Sequence, residues 1–420
     1  MKALHVTTIF ISTFLSTTPI VADELSEEEY VKEINKAFSR FYEATNGKTL
    51  SARIEALEAL SVEYKDNEAV LDILLQERGF AYSFMGKHQQ ALYAFDQRQH
   101  NSDELNTAVK DLDTSDAVSS IVEFAGDSQI VMINEAHHIP QHRVLTYRLL
   151  EQLWDQGFRY LALEALAQDA EDKLSESYVY KKSGYYTNEP LFANLILHAR
   201  QLGFQLVSYD YGFDISSEAE VRERTGAKNL REKVFNNDPD AKILIHVGYR
   251  HINEDSWLAH YLKEALKIDP LTINQTEFTE QSHVKYESES YTWLIENHDF
   301  NTPVVLTESD GSYWSPAPEK YDVTVIWPRT EYRLNRPKWA SLGQELMPVD
   351  ISWCEQNFPC TIEVYRVGNE DEVPSDRIVI TEPNVPTGIF ISESSQLIKV
   401  TDTEGKLIHT ETLPLEEPES

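Results

Sequence analysis

Nine residues, Asn134-Glu135-Ala136-His137-His138-Ile-Pro140-Gln-His142, hold a carboxylate and three imidazoles directly behind the apolar run Ile130-Val-Met-Ile133. Two further runs end in the same way. Glu164 follows Tyr160-Leu-Ala-Leu163, and His246 with Gly248-Tyr-Arg-His251 follows Lys242-Ile-Leu-Ile245. An imidazole beside a carboxylate moves protons to and from water, and two imidazoles with a carboxylate also form the donor set of a divalent cation. Burying such groups together is costly unless substrate, metal or proton traffic compensates them, so the cluster marks a site and not a core.

Such residues work together only if a fold gathers them. From about residue 115, short apolar runs alternate with amphipathic segments, the pattern of an α/β fold with a mostly parallel sheet and flanking helices. Strands are predicted at 130–133, 160–163, 205–208, 242–245, 303–306 and 323–326, with helices over 144–154, 191–202 and 257–268. Gly157 and Gly203 close the first two helices. In an open sheet of this kind, ligands collect at the carboxyl ends of the strands, where Glu135, His137, His138, Glu164, His246 and His251 all fall.

In that order the motifs resemble the superfamily joining erythromycin esterases, ChaN-like haem-binding proteins and Tiki (TraB) proteins. The resemblance covers roughly residues 115–275 and includes Arg222-Glu-Arg-Thr-Gly-Ala227-Lys-Asn229, similar to the Arg-acidic-x-x-Met-Ala-x-Asn stretch of that group. The ChaN-like pattern Gly-Glu-x-His, with Pro and His downstream, is matched by Glu135, His137, Pro140 and His142. Asn134 stands where Gly is usual, and Gly226 where Met is common. The esterase branch spaces its pair so that His138 takes the place of His137, and the sequence leaves that register open.

The esterase and Tiki branches imply a hydrolase of ester or peptide bonds acting on a small-molecule or peptide substrate. In one version Glu135 or His137 activates water while Arg222 and His251 stabilise an oxyanion. In the other, which the Tiki branch implies, His137, Glu164 and His251 hold Mn, Co or Zn with an open position for water. The ChaN-like branch implies instead a haem- or iron-complex-binding protein, with the exposed aromatics Tyr185 and Tyr186 as candidate cofactor-binding residues. A third reading is an interaction protein that keeps the fold without the chemistry.

The rest of the chain bounds these readings. Residues 1–22, with Lys2, an apolar stretch through Leu15 and Ile20-Val-Ala22, read as a secretory signal peptide, so the expectation is export to a periplasm or beyond the cell. No later stretch nears the ~20 apolar residues of a membrane span. A net charge of -33 excludes nucleic acid as a partner. Residues 23–112 read as a helical module in which Gly79, Tyr82, Gly86, Ala91 and Phe95 take tetratricopeptide-like offsets, either a protein-docking face or a cover on the catalytic domain. The α/β domain occupies 113–340. Beyond it, 341–420 reads as a small antiparallel β domain with an acidic tail, where Cys354 and Cys360 are expected to pair.

Overall fold

The computed structural model describes residues 36–37, 39–98, 105–174, 177–213, 218–369, 371–392 and 396–413. The expected leader and the acidic tail lie outside them. Helices α1 (39–45), α2 (Leu50–Glu63), α3 (Glu68–Phe84) and α4 (His88–Asp96) come first. The sheet follows as β1 (Asp113–Asp116), α5 (Ala117–Phe124), β2 (Ile130–Glu135), α6 (Gln141–Asp155), β3 (Phe158–Leu163), α7 (Pro190–Leu202) and β4 (Gln205–Ser208). It continues through α8 (Ala219–Leu230), β5 (Lys242–Gly248), α9 (Leu258–Leu266), β6 (Leu271–Asn274), α10 (Glu289–Asn297), β7 (Val304–Thr307) and β8 (Val323–Ile326).

These eight strands form one sheet in the order β1-β7-β8-β6-β2-β5-β3-β4, parallel from β8 to β4 and antiparallel at the β7 and β1 edge. The apolar runs are continuous because both faces are covered. Val131, Ile133, Leu161 and Leu163 pack with α6 and α7, while Ile130, Met132, Ile243 and Ile245 pack with α8 and α9. β2 and β5 are neighbours whose outgoing helices, α6 and α9, lie on opposite faces. A crevice opens between such strands, and ligands of open α/β sheets bind there. Asn134 spans this point. Its amide donates to Tyr249 O at 3.0 Å and Asn274 Oδ1 at 2.8 Å, and its Oδ1 accepts Gln275 N–H at 2.7 Å.

The C-terminal part holds an antiparallel sheet of Asp376–Ile380, Cys360–Tyr365, Gln396–Thr401 and Leu407–Leu413, plus the pair Glu345–Pro348 and Gly388–Ile391. Cys354 and Cys360 are joined in a disulfide inside its core. No helix among the described residues is long and apolar enough to cross a membrane.

The helix pair α3–α4 lies on the end of the sheet where β2 stops, with Leu92 packed on Ala136 and Ile139. Arg377 fastens it from the far side, donating to Phe84 O at 3.1 Å and Asn188 O at 3.3 Å. Gly79 admits the Phe95 ring, since a Cβ there would stand 2.4 Å from two ring carbons. The ring cannot retreat, because its other face stacks on His138 at 3.3 Å between centroids. Helix propensity alone favours Gly79→Ala by about 1 kcal/mol. Overpacking against a pinned ring costs about 1–3 kcal/mol, so the variant is expected to be less stable in urea titration, and a gain in stability would show that Phe95 is free to move.

Candidate active site

The register of three parallel strands assembles the site. Pairing of β2 with β5 puts Glu135 beside Gly248, and pairing of β3 with β5 puts Leu163 beside His246, so Glu164 flanks Gly248 from the other side. Residues far apart in the chain thereby form a row, Glu135, Gly248, Glu164, at one sheet end.

Glu135 is the anchor. It is 1 % exposed and accepts four hydrogen bonds: Arg143 Nε at 2.7 Å, Arg143 NH2 at 2.9 Å, His137 Nδ1 at 2.7 Å and His246 Nε2 at 2.9 Å. Burial opposes its charge, but Arg143 and the two imidazoles hold its carboxyl well below the usual range. Arg143 is itself fully buried and also donates to Glu189 at 2.9 Å and His137 O at 3.0 Å. His246 spends its other nitrogen on Thr146 Oγ1 at 2.8 Å.

His137 differs from its neighbours. Nδ1 is tied to Glu135, so a neutral ring carries its lone pair on Nε2, and Nε2 has no hydrogen-bond partner among the described residues. It faces Glu164 across Gly248: a Cβ on Gly248 would stand 2.6 Å from Nε2 and 3.0 Å from Glu164 Oε2. His138 turns away, stacked on Phe95 and 3.3 Å from Tyr249 Oη, and burial lowers its pKa well below the usual value. His142 accepts Ala136 N–H, and burial lowers it to about 3.

Beyond Glu164 lie two cations, each held between carboxylates. Glu164 accepts Arg222 NH2 at 2.6 Å and Gly248 N–H at 2.6 Å, with His251 Nε2 at 3.4 Å. Arg222 is braced by Asp210 at 2.9 and 2.6 Å, and His251 Nδ1 by Glu223 at 2.8 Å. Burial favours neutral His251, yet Glu223 and Glu164 raise it to about 10, so it is a cation beside Arg222. The same two cations outweigh the burial of Glu164 and keep it ionised, with its pKa well below the usual value. Tyr209 Oη and Glu223 Oε1, both buried close by, have no partner among the described residues.

Three sequence expectations change. The set His137, Glu164, His251 does not fit a metal, because Arg222 and Gly248 N–H occupy Glu164 and two carboxylates take both nitrogens of His251. Among the described residues no group of three or more His, Cys, Asp or Glu side chains is arranged to hold a cation. Tyr185 and Tyr186 are not exposed haem ligands: Tyr185 Oη accepts Arg53 NH2 at 2.7 Å, and Tyr186 stacks on His137 at 4.0 Å and 16°. Glu135 and His246, expected to react, have their hydrogen bonding taken up by each other, Arg143, His137 and Thr146. Sequence reasoning also passed over Arg143, Asp210, Glu223 and Tyr209. Tyr209 and Asp210 follow strand β4, so the strand-end rule applied there reaches them, and Glu223 sits inside the Arg222 motif. Arg143 lies in the first turn of α6 and carries no comparable signal.

No family model matches the chain, and no curated protein matches it. Among solved structures, that of the type III effector HopBA1 is similar at 13 % identity and a TM-score of 0.33, over 53 % of this chain and 99 % of that one.

Two outcomes are expected. Arg143→Met leaves Glu135 buried without its main partner and lowers unfolding free energy by about 3–5 kcal/mol in urea titration. His251 has a folded pKa of about 10 against an ordinary 6.5, so its ion pairs stabilise fully below pH 6.5 and lose that contribution as pH rises through 10. The melting-temperature gap between wild type and His251→Gln is therefore expected to be constant in acid and to close towards pH 10.

Proposed function

We propose that this chain is a hydrolase of ester or peptide bonds in which its own side chains carry the chemistry and His137 is the general base. The observation that supports this best is the unpartnered Nε2 of His137, oriented from behind by Glu135 and facing Glu164. Water placed between Nε2 and Glu164 gives its proton to Nε2 as it attacks the carbonyl carbon. The imidazolium so formed lies between two carboxylates, Glu135 and Glu164, which lowers its energy where the transition state needs it. The carbonyl oxygen gains negative charge, and Arg222 with His251 supply positive charge on that side of the site. As the tetrahedral intermediate collapses, His137 returns the proton to the leaving oxygen or nitrogen and the acid product is released.

The resemblance to the esterase and Tiki branches supports the same reaction class. The Gly79–Phe95 interlock supports the reading of α3–α4 as a tetratricopeptide-like pair that covers the catalytic domain. The leader-like N-terminus and the Cys354–Cys360 disulfide support an exported enzyme acting in an oxidising compartment.

His137→Ala and Glu164→Gln are expected to lose about 10²–10⁴ in kcat/KM on whichever of a panel of esters, lactones and peptides the wild type cleaves. Gly248→Ala, whose Cβ would stand 2.5 Å from His137 Cε1, is expected to lose activity comparably while keeping the far-ultraviolet circular dichroism of the wild type. Equal turnover by wild type and His137→Ala would remove the assignment.

A further inference from the structure

The reacting groups are almost sealed. His137 is 3 % exposed, Glu135 1 % and the Glu164 side chain 10 %, so a substrate meets the base only after something moves. Three aromatic rings cover His137, of which Tyr249, just beyond β5, stands edge-on at 5.4 Å. Tyr186 lies flat on the imidazole, and Phe80 of α3 meets both rings edge-on, 5.5 Å from Tyr186 and 6.1 Å from His137.

The Tyr186 loop cannot sink further. A Cβ at Gly184 would stand 1.9 Å from Ala165 O, so the loop already rests on the backbone next to Glu164. Its outward movement is opposed from the helical module. Arg53 of α2 donates to Tyr185 Oη at 2.7 Å and to Glu77 Oε2 of α3 at 2.6 Å, and Phe84 packs on the Tyr185 ring at 5.4 Å. Glu77 is wholly buried, and the pair gains little stability over an apolar one of the same shape, but its fixed geometry orients Arg53 towards Tyr185.

We propose that Arg53 and Glu77 are positioning residues that hold Tyr186 on His137, making the helical module the element that decides what reaches the base. The proposal rests on the reading of His137 as the reacting base. Opening breaks the Arg53–Tyr185 hydrogen bond and unstacks Tyr186, which uncovers one face of the imidazole and gives a reagent or substrate room to approach Nε2 in the ring plane, without disturbing Glu135 behind the ring.

The test measures access independently of turnover. Diethyl pyrocarbonate acylates unprotonated imidazole nitrogens, and peptide mass spectrometry reads the rate at each histidine of the full chain. In Arg53→Met/Glu77→Gln, which leaves no orphan charge, and in Tyr186→Ala, which spares the ion pair, His137 is expected to react at least about tenfold faster than in wild type. Exposed His283 and doubly bonded His246 are expected to keep their wild-type rates. An unchanged His137 rate in both variants overturns the proposal, and so does a rise shared with His246, which signals general loosening. Turnover of p-nitrophenyl acetate is followed in parallel. Faster His137 labelling with no ester cleaved by any form upholds the clamp and removes the hydrolase reading, whereas cleavage with unchanged labelling does the reverse.

Discussion

One buried carboxylate organises this molecule's chemistry. Glu135 is out of reach of water, and its charge persists only because Arg143 grips it bidentately and two imidazoles complete its hydrogen bonding. Each partner is thereby committed. Arg143 extends to Glu189, whose carboxylate also caps the first turn of α7 through Leu191 and Phe192 N–H. The network joins the end of β2, the start of α6 and the start of α7 before any reacting group is considered.

From that anchor the site divides by charge. On the Glu135 side, positive charge is consumed internally and His137 presents a lone pair. On the Glu164 side, Arg222 and His251 are each held between Glu164 and a second carboxylate, Asp210 or Glu223. Gly248 is the seam, and its missing side chain lets the two halves approach. A proton acceptor on one side and fixed cations on the other suit a reaction in which a proton leaves and an oxyanion forms.

Much of this was legible in the sequence, for identifiable reasons. Most strands of the sheet interior announced themselves as apolar runs because both faces are buried, and Glu135, His137 and Glu164 followed from the strand-end rule; β6 was missed, since Leu271-Thr-Ile-Asn274 alternates apolar with polar residues. β1 did not: Asp113-Thr-Ser-Asp116 is an edge strand with no apolar residue to betray it, paired on one side only. Arg143 escaped because a helical arginine looks alike whether it faces solvent or a buried acid. Tyr185 and Tyr186 were expected on the surface because what covers them, Arg53, Phe80 and Phe84, comes from about a hundred residues earlier in the chain. The donor set for a metal was legible by type, but type does not show that Arg222 already fills it.

The fastening of the helix pair carries a consequence for the order of assembly. β1 finds its partner in β7 across nearly two hundred residues, with Asp113 opposite Thr307, so the sheet edge closes only after most of the chain is available. Arg377, which ties down the end of α3, lies 293 residues beyond Phe84. Long loops close late because their entropy must be lost before the contact rewards it. The cover over His137 is therefore fastened at its far end only once the C-terminal sheet is present, although that sheet adds no group to the site.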